Sequence, residues 1–459
     1  MKRSAALALV ASMIAVPLEA QTDRRIEDVE TKLGTAVEIV GQPSPKARLT
    51  DKMREMHVPG VSIAVIQGGR IAWAKGYGKT AGNGGPVTAH TCFQAGSISK
   101  SVTALGALRL VAEGKVSLDR PVNDYLKSWK LPDSEAGKAE SVTLRGLLSH
   151  TAGLNVHGFP GYAKGMAVPS VLEILDGRAP ANTPPIRIVH QPGAAWNYSG
   201  GGYVVAQQLI QDVTGRPFAA VGKDTILAPA GMHESSFDQQ PTCDHALGHN
   251  GEGVTVPGGY HVYPEMAAAG LWTTASDLAR AMLSLAKRPD TVLTPIKLGH
   301  SVGFDTGGTG EARWISKGGD TEGFAAFLVF YPLKGEGAVV MTNGAQGATL
   351  ARDVIRGVAS AYGWPDFGPR IRNATAVSPT LLGRLPGTYH YRETNSFTIT
   401  RSGDHLVISS PGETPETLHA DPSGEFFTLS QDVAFLFEPD AVTGHIAIGD
   451  TKIPFSKEN

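Results

Sequence analysis

The chain is 459 residues long, 41% hydrophobic and 18% charged, which gives enough apolar material for a large core and enough length for more than one domain. Its formal net charge of −2, with no run of Lys or Arg, leaves no electrostatic footprint for a phosphate backbone or an anionic membrane. A globular protein without a nucleic-acid partner is the expectation.

The first twenty residues stand apart. Lys2 and Arg3 precede an apolar run over residues 5–16, and Pro17 with Leu18-Glu19-Ala20 closes it. That is the layout of a secretory signal peptide, and the run is shorter than the ~20 residues a membrane span needs. The expected product is exported, periplasmic or secreted, with no stable membrane insertion once residues 1–20 are removed. Two cysteines follow, Cys92 and Cys243, far apart in sequence. Export permits a disulfide between them, and two buried free thiols fit equally well.

Beyond the leader, residues 27–40 and 47–56 can each form a helix, and 61–66 and 70–74 read as strands joined by a Gln67-Gly68-Gly69 turn. Residues 97–113 read as a helix with Val102, Leu105, Leu108 and Val111 facing inward and Gly114 ending it. From about 118 to 244 helices alternate with Pro- and Gly-rich loops. Strand character returns at 324–331 and 337–342, and a helix follows over 350–362. A sheet built from both ends of a domain around a helical middle is an α+β plan. Residues 362–385 collect Pro365, Pro369 and Pro379 with Gly363, Gly368 and Gly383 and read as a linker, placed at 366–382. Short alternating segments at 396–400, 405–409 and 433–438 then make residues 383–459 a small all-β domain.

Chemistry concentrates in three places. Ser97-Ile98-Ser99-Lys100 sets a hydroxyl and an amine one helical turn apart on one face, at a helix N-terminus. A serine hydroxyl needs a base, and a lysine serves only once it has lost its proton. Lowering a lysine pKa from ~10.4 to ~7 costs about 4 to 5 kcal/mol, which burial beside a second cation can supply. Alone the spacing is weak, because Ser and Lys three apart are usually a solvated helix face.

In context, with Phe93-Gln94-Ala95-Gly96 before it and Gly114-Lys115-Val116-Ser117-Leu118-Asp119 after it, the motif resembles that of the penicillin-binding protein and class C β-lactamase-like serine hydrolases. The segment 143–154, Thr-Leu-Arg-Gly-Leu-Leu-Ser-His-Thr-Ala-Gly-Leu, is similar to a structural signature of that family, in which His150 is scaffold and not base. Trp196-Asn197-Tyr198-Ser199-Gly200 resembles the second site element, which makes Tyr198 the proton relay. Lys317-Gly318-Gly319-Asp320 resembles the third, an edge-strand K-T-G or H-x-G signature. Lys317 is then the second cation, able to favour a Tyr198 phenolate, keep Lys100 neutral and hold a substrate carboxylate. The bare strand edge lets the backbone N–H of Asp320 pair with that of Ser97 as an oxyanion hole, with Gly318, Gly319 and Gly200 against the substrate. The likeness continues through 264–274 and 276–280 and spans about 58–362.

The resemblance implies a β-lactamase-like domain over 21–365, an antiparallel sheet flanked by helices with a helical subdomain, and only weakly a lipocalin-like tail. It implies an acyl-enzyme on Ser97 with Lys100 as general base, acting on a small-molecule or peptide substrate. Peptidase or amidase ranks first, because Lys317 suits a carboxylate, then esterase. β-Lactamase ranks third, because Gly200 stands where many relatives carry the Asn of Tyr-x-Asn. A catalytically silent binding protein is the rival from another class. Gly76-Tyr77-Gly78-Lys79-Thr80 imitates the end of a P-loop but lacks its upstream glycine, and there is no His-Glu-x-x-His or Cys-x-x-Cys, so no cofactor or metal is assigned.

Overall fold

The computed structural model describes residues 18–287, 289–392, 395–411, 414–449 and 451–458. The leader read over 1–20 lies outside the described residues as far as residue 17.

Helix α1 (Leu18–Thr31), strand β1 (Val37–Ile39), helix α2 (Leu49–Glu55) and the hairpin of β2 (Gly60–Gln67) and β3 (Arg70–Gly78) lead to β4 (Phe93–Gln94) and α3 (Ile98–Ala112). Gly68 and Gly69 both have positive φ, 58° and 73°, as a tight hairpin requires. The middle of the chain contributes α4 (Leu144–Leu148), α5 (Val171–Asp176), α6 (Gly200–Thr214), α7 (Phe218–Val221) and α8 (Met266–Ala269). The short strand β5 (Trp272–Thr273) and helices α9 (Ala275–Leu285) and α10 (Asp290–Leu293) follow. Strands β6 (Asp305–Gly307), β7 (Trp314–Thr321), β8 (Phe324–Tyr331) and β9 (Glu336–Thr342) and helix α11 (Gly347–Tyr362) complete the domain.

One antiparallel sheet organises it, in the order β3-β2-β9-β8-β7-β6, so strands from both ends of the domain meet at β2 and β9. On one face α1 and α11 cover Val61, Ile63, Val65, Val329 and Val340. On the other, α3, α6, α8 and α9 build a larger core around Ile98, Val102, Tyr203, Leu209 and Trp272. Cys92 and Cys243 are disulfide-bonded, closing a separation of 151 residues and settling the choice the sequence left open. Among the described residues no helix is long and apolar enough to cross a membrane.

Two expectations are corrected. Residues 27–40 are not one helix: α1 ends at Thr31, and Val37–Ile39 is a strand. Nor is 366–382 linker throughout, for it holds β10 (Arg370–Arg372) and the start of α12 (Pro379–Arg384). The two strands have one cause, since β1 and β10 pair in parallel across the length of the domain, Glu38 opposite Ile371, while α12 starts on a local cap, Ser378 before Pro379. Local propensity cannot see a partner so distant in sequence.

Beyond α12 the tail is a closed antiparallel barrel, β11 (Gly387–Tyr391), β12 (Asn395–Ser402), β13 (His405–Ser409), β14 (Glu416–Ala420), β15 (Phe426–Phe427), β16 (Ala434–Phe437), β17 (Thr443–Ile448) and β18 (Thr451–Lys457), closed by β11 on β18. Closure removes the sheet edges. Its core is aromatic, with Tyr389 stacked on Phe397 at 5.1 Å. The barrel meets the first domain through β1 and β10: Val37, Ile39 and Phe427 bury together, and Arg372, buried, bonds Asp421 and Glu425.

Candidate active site

The site is assembled where the N-terminus of α3 meets the edge of the sheet. Strand β6 covers β7 only as far as Ser316, so among the described residues Lys317 to Thr321 have no strand partner on that side. The turn before Ser97 fits against this bare edge because both surfaces lack side chains. A Cβ on Gly319 would stand 2.1 Å from the Ala95 carbonyl oxygen and 2.8 Å from the Ser97 nitrogen. A Cβ on Gly96, whose φ is +51°, would stand 2.4 Å from the nitrogen of Asp320. The backbone of Asp320 is thereby brought against the Gly96-Ser97 turn.

Ser97 stands at the N-cap position of α3 without capping it, and its Oγ is shared. Lys100 Nζ donates to it at 3.0 Å and Tyr198 Oη at 2.8 Å. Lys100 is 2% exposed and also donates to the Ala268 carbonyl at 2.8 Å, a fixed acceptor at the end of α8. Burial first, and then the charge of Lys317, bring the Lys100 pKa down to about 7, against a smaller upward pull from Asp320. The cost foreseen from the sequence thus arises by the two routes it named.

Tyr198 stands between the two lysines, with each Nζ 5.1 Å from its ring centroid. Its pKa is pushed up to about 12, chiefly by burial and further by Asp305 and Asp320, with the Ser97 hydrogen bond opposing. A resting phenolate favoured by Lys317 is therefore not what this geometry produces; Tyr198 holds its proton. The ring is braced by His150 at 4.3 Å, whose Nδ1 accepts from the Ser199 N–H at 3.1 Å. Burial, Lys317 and Lys100 hold His150 well below the usual imidazole range, so it is neutral and acts as a wall.

Lys317 is only 5% exposed, and its Nζ lies 3.8 Å from Asp305 Oδ1. An ammonium so enclosed and already paired is poorly placed to meet a substrate carboxylate. Gly318 turns to the opposite face of β7, where a Cβ would touch Phe327 at 3.4 Å. Gly200 is buried at the start of α6, and a Cβ there would meet the Phe159 ring at 2.8 Å and the His157 carbonyl at 3.0 Å. The space an asparagine would need is filled by another loop.

Three residues beside the site receive no role from the sequence. Asp305 accepts from His300 Nδ1 at 2.7 Å, and His300 stacks on Trp196 at 4.1 Å and 10°. Trp196 lies inside a quoted motif, but nothing in the pattern joined it to residues a hundred positions on.

A seryl oxygen shared by a buried lysine and a tyrosine, set between a helix N-terminus and a bare sheet edge, defines a serine hydrolase of the β-lactamase and penicillin-binding-protein fold. A family model described as Beta-lactamase matches residues 46–362, and the chain belongs to that family. It is 27% identical over 298 residues to Esterase EstB of Burkholderia gladioli, covering 56% of this chain and 73% of that one. In structure it is similar to an octameric penicillin-binding protein homologue from Pyrococcus abyssi, with TM-score 0.58, 24% identity, 88% of this chain and 98% of that one. It is also similar to the D-amino acid amidase of Ochrobactrum anthropi SV3, with TM-score 0.54, 22% identity, 69% of this chain and 96% of that one.

Proposed function

We propose that this chain hydrolyses an amide, peptide or ester bond through an acyl-enzyme on Ser97. The observation that carries this is the single Oγ held at 3.0 Å by a lysine whose pKa is brought to about 7 and at 2.8 Å by a protonated tyrosine. Neutral Lys100 takes the Ser97 proton as Oγ attacks the carbonyl carbon, and the oxyanion rests on the N–H groups of Ser97 and Asp320. As the carbon–leaving-group bond breaks, Tyr198 passes its proton to the departing nitrogen or oxygen and is reprotonated from Lys100. Water then attacks the acyl carbon by the reverse path, giving its proton to the same pair.

The preference for substrates with a carboxylate loses its support in the buried, Asp305-paired Lys317. Amide and ester cleavage remain together in first place, as the esterase and amidase relatives suggest, and Gly200 keeps β-lactams third. Action outside the cytoplasm belongs to the same proposal, and the Cys92–Cys243 disulfide supports it, because such bonds persist in oxidising compartments.

Ser97→Ala should abolish turnover of p-nitrophenyl esters and amino-acid amides and end labelling by a fluorophosphonate. Persistent labelling of Ser97→Ala would overturn the assignment. One preparation tested on esters, amides, peptides and a chromogenic cephalosporin ranks the substrates.

A further inference from the structure

Lys317 poses a problem that the acyl-enzyme reading does not solve. An ammonium at 5% exposure is costly unless paired, yet its charge is what helps keep Lys100 neutral. The groups around it are Lys100 on α3, Tyr198 and His150 from the helical side, Asp320 on its own strand, and Asp305 with His300 from β6 and the loop before it. Of these, Asp305 is the carboxylate within 4 Å of its Nζ among the described residues.

The placement of Asp305 is built into the fold. It pairs with Ser316, immediately before Lys317, as the last support before the edge of β7 becomes free. Its Oδ1 faces both Lys317 Nζ and His300 Nδ1, at 3.8 and 2.7 Å. A carboxylate only accepts, so His300 carries its proton on Nδ1 and fixes the rotamer. His300 in turn lies flat on Trp196, two residues before Tyr198. Trp196, His300, Asp305 and Lys317 thus tie the loop that bears the tyrosine to the strand that bears the lysine.

We propose that Asp305, oriented by His300, is a positioning residue that keeps Lys317 protonated and so sets the pH at which Lys100 becomes a free base. The inference rests on the Ser97–Lys100 reading. Its chain of effects has a definite sign. Without the Asp305 charge, Lys317 gives up its proton more easily, and its repulsion of the Lys100 ammonium disappears. Lys100 then keeps its proton to higher pH, and the acid limb of activity moves up. Asp305 also opposes ionisation of Tyr198, so its loss moves the alkaline limb down.

The test is the pH profile of kcat/KM for a p-nitrophenyl ester, with the pH dependence of fluorophosphonate labelling as a second measure that needs no substrate pocket. Asp305→Asn should raise the acid limb by about 1 unit, in keeping with an opposite charge at this range, and narrow the profile from both sides. Asp305→Glu should restore it. Lys317→Ala should raise the acid limb by itself, and adding Asp305→Asn to it should move that limb no further. An Asp305→Asn enzyme that loses rate with its limbs unmoved, or shifts equally with and without Lys317, overturns the inference while Ser97 and Lys100 keep their roles. A Ser97→Ala enzyme that remains active would sink the underlying reading instead.

Discussion

Gly319 offers the most direct perturbation of the site, because its missing side chain is what lets the sheet edge and the nucleophile turn touch. In Gly319→Ala the new methyl would stand 2.1 Å from the Ala95 oxygen and 2.8 Å from the nitrogens of Ser97 and Ile98. Those are backbone atoms and cannot swing aside. Ordinary contact begins near ~3.5 Å, so the strand and the turn must part by about 1.4 Å. That displacement separates the Asp320 N–H from the Ser97 N–H, and a shift of about 1 Å at a reacting centre can cost roughly 100-fold, or about 2.7 kcal/mol in the barrier. The assay is kcat/KM on a p-nitrophenyl ester alongside a melting curve, with the loss expected in kcat. Gly318→Ala, where the methyl meets only Phe327 at 3.4 Å on the other face, should cost far less. If Gly319→Ala keeps wild-type kcat/KM, or loses no more than Gly318→Ala, the close approach does not build the site.

Lys100→Met should be inactive yet melt higher at pH 7. The unfolded chain holds this proton to pH 10.5 and the folded one only to about 7, so unfolding takes up a proton and the group's contribution to stability rises with pH across that window. Its cost at pH 7 is on the order of 4 kcal/mol, so the gain should shrink by pH 10, and a Lys100→Met variant that melts lower at both values contradicts the burial argument. Cys243→Ser opens a link that closes 151 residues and should cost about 2–4 kcal/mol, read as a lower melting temperature that added reductant no longer changes. Arg372→Ala leaves Asp421 and Glu425 without their shared cation at the junction of the domains. A loss of about 2–4 kcal/mol should loosen the barrel, seen as faster proteolysis near residues 373–386 with the ester kcat/KM unchanged.

What was legible in the sequence was whatever is local or ordered along the chain. Ser97 and Lys100 are one helical turn apart, and Gly68-Gly69 announces its hairpin without help from the rest of the fold. The sheet of mixed origin followed from strand patterns at 61–66 and 324–342, since β2 and β9 are apolar on both faces and need covering on both. What failed was non-local. Val37-Glu38-Ile39 alternates as a strand should, but three residues carry little weight until β10 pairs with them. Asp305 is an acidic residue in an unpatterned loop, and only the register of β6 against β7 sets it beside Lys317.

Gly200 shows how a departure in a motif is completed by the fold around it. The sequence shows a missing amide and does not show what stands in its place. In the fold the position is closed, because Gly200 N–H bonds the His157 carbonyl at 3.1 Å, Gly201 N–H bonds that of Val156 at 3.0 Å, and Phe159 lies where a side chain would go. Val156 itself adopts φ +58°, an uncommon conformation for a β-branched residue, so the loop is held to this course by its bonds to α6. The glycine and the loop therefore fit one another: the space a side chain at 200 would take is filled by an aromatic ring and a carbonyl. Residues 155–161, and not α6, fill the space at this point. Phe159→Ala should change the ranking among ester acyl groups while leaving the pH limbs set by Lys100 and Tyr198 in place, and an unchanged ranking would return the question to residue 200.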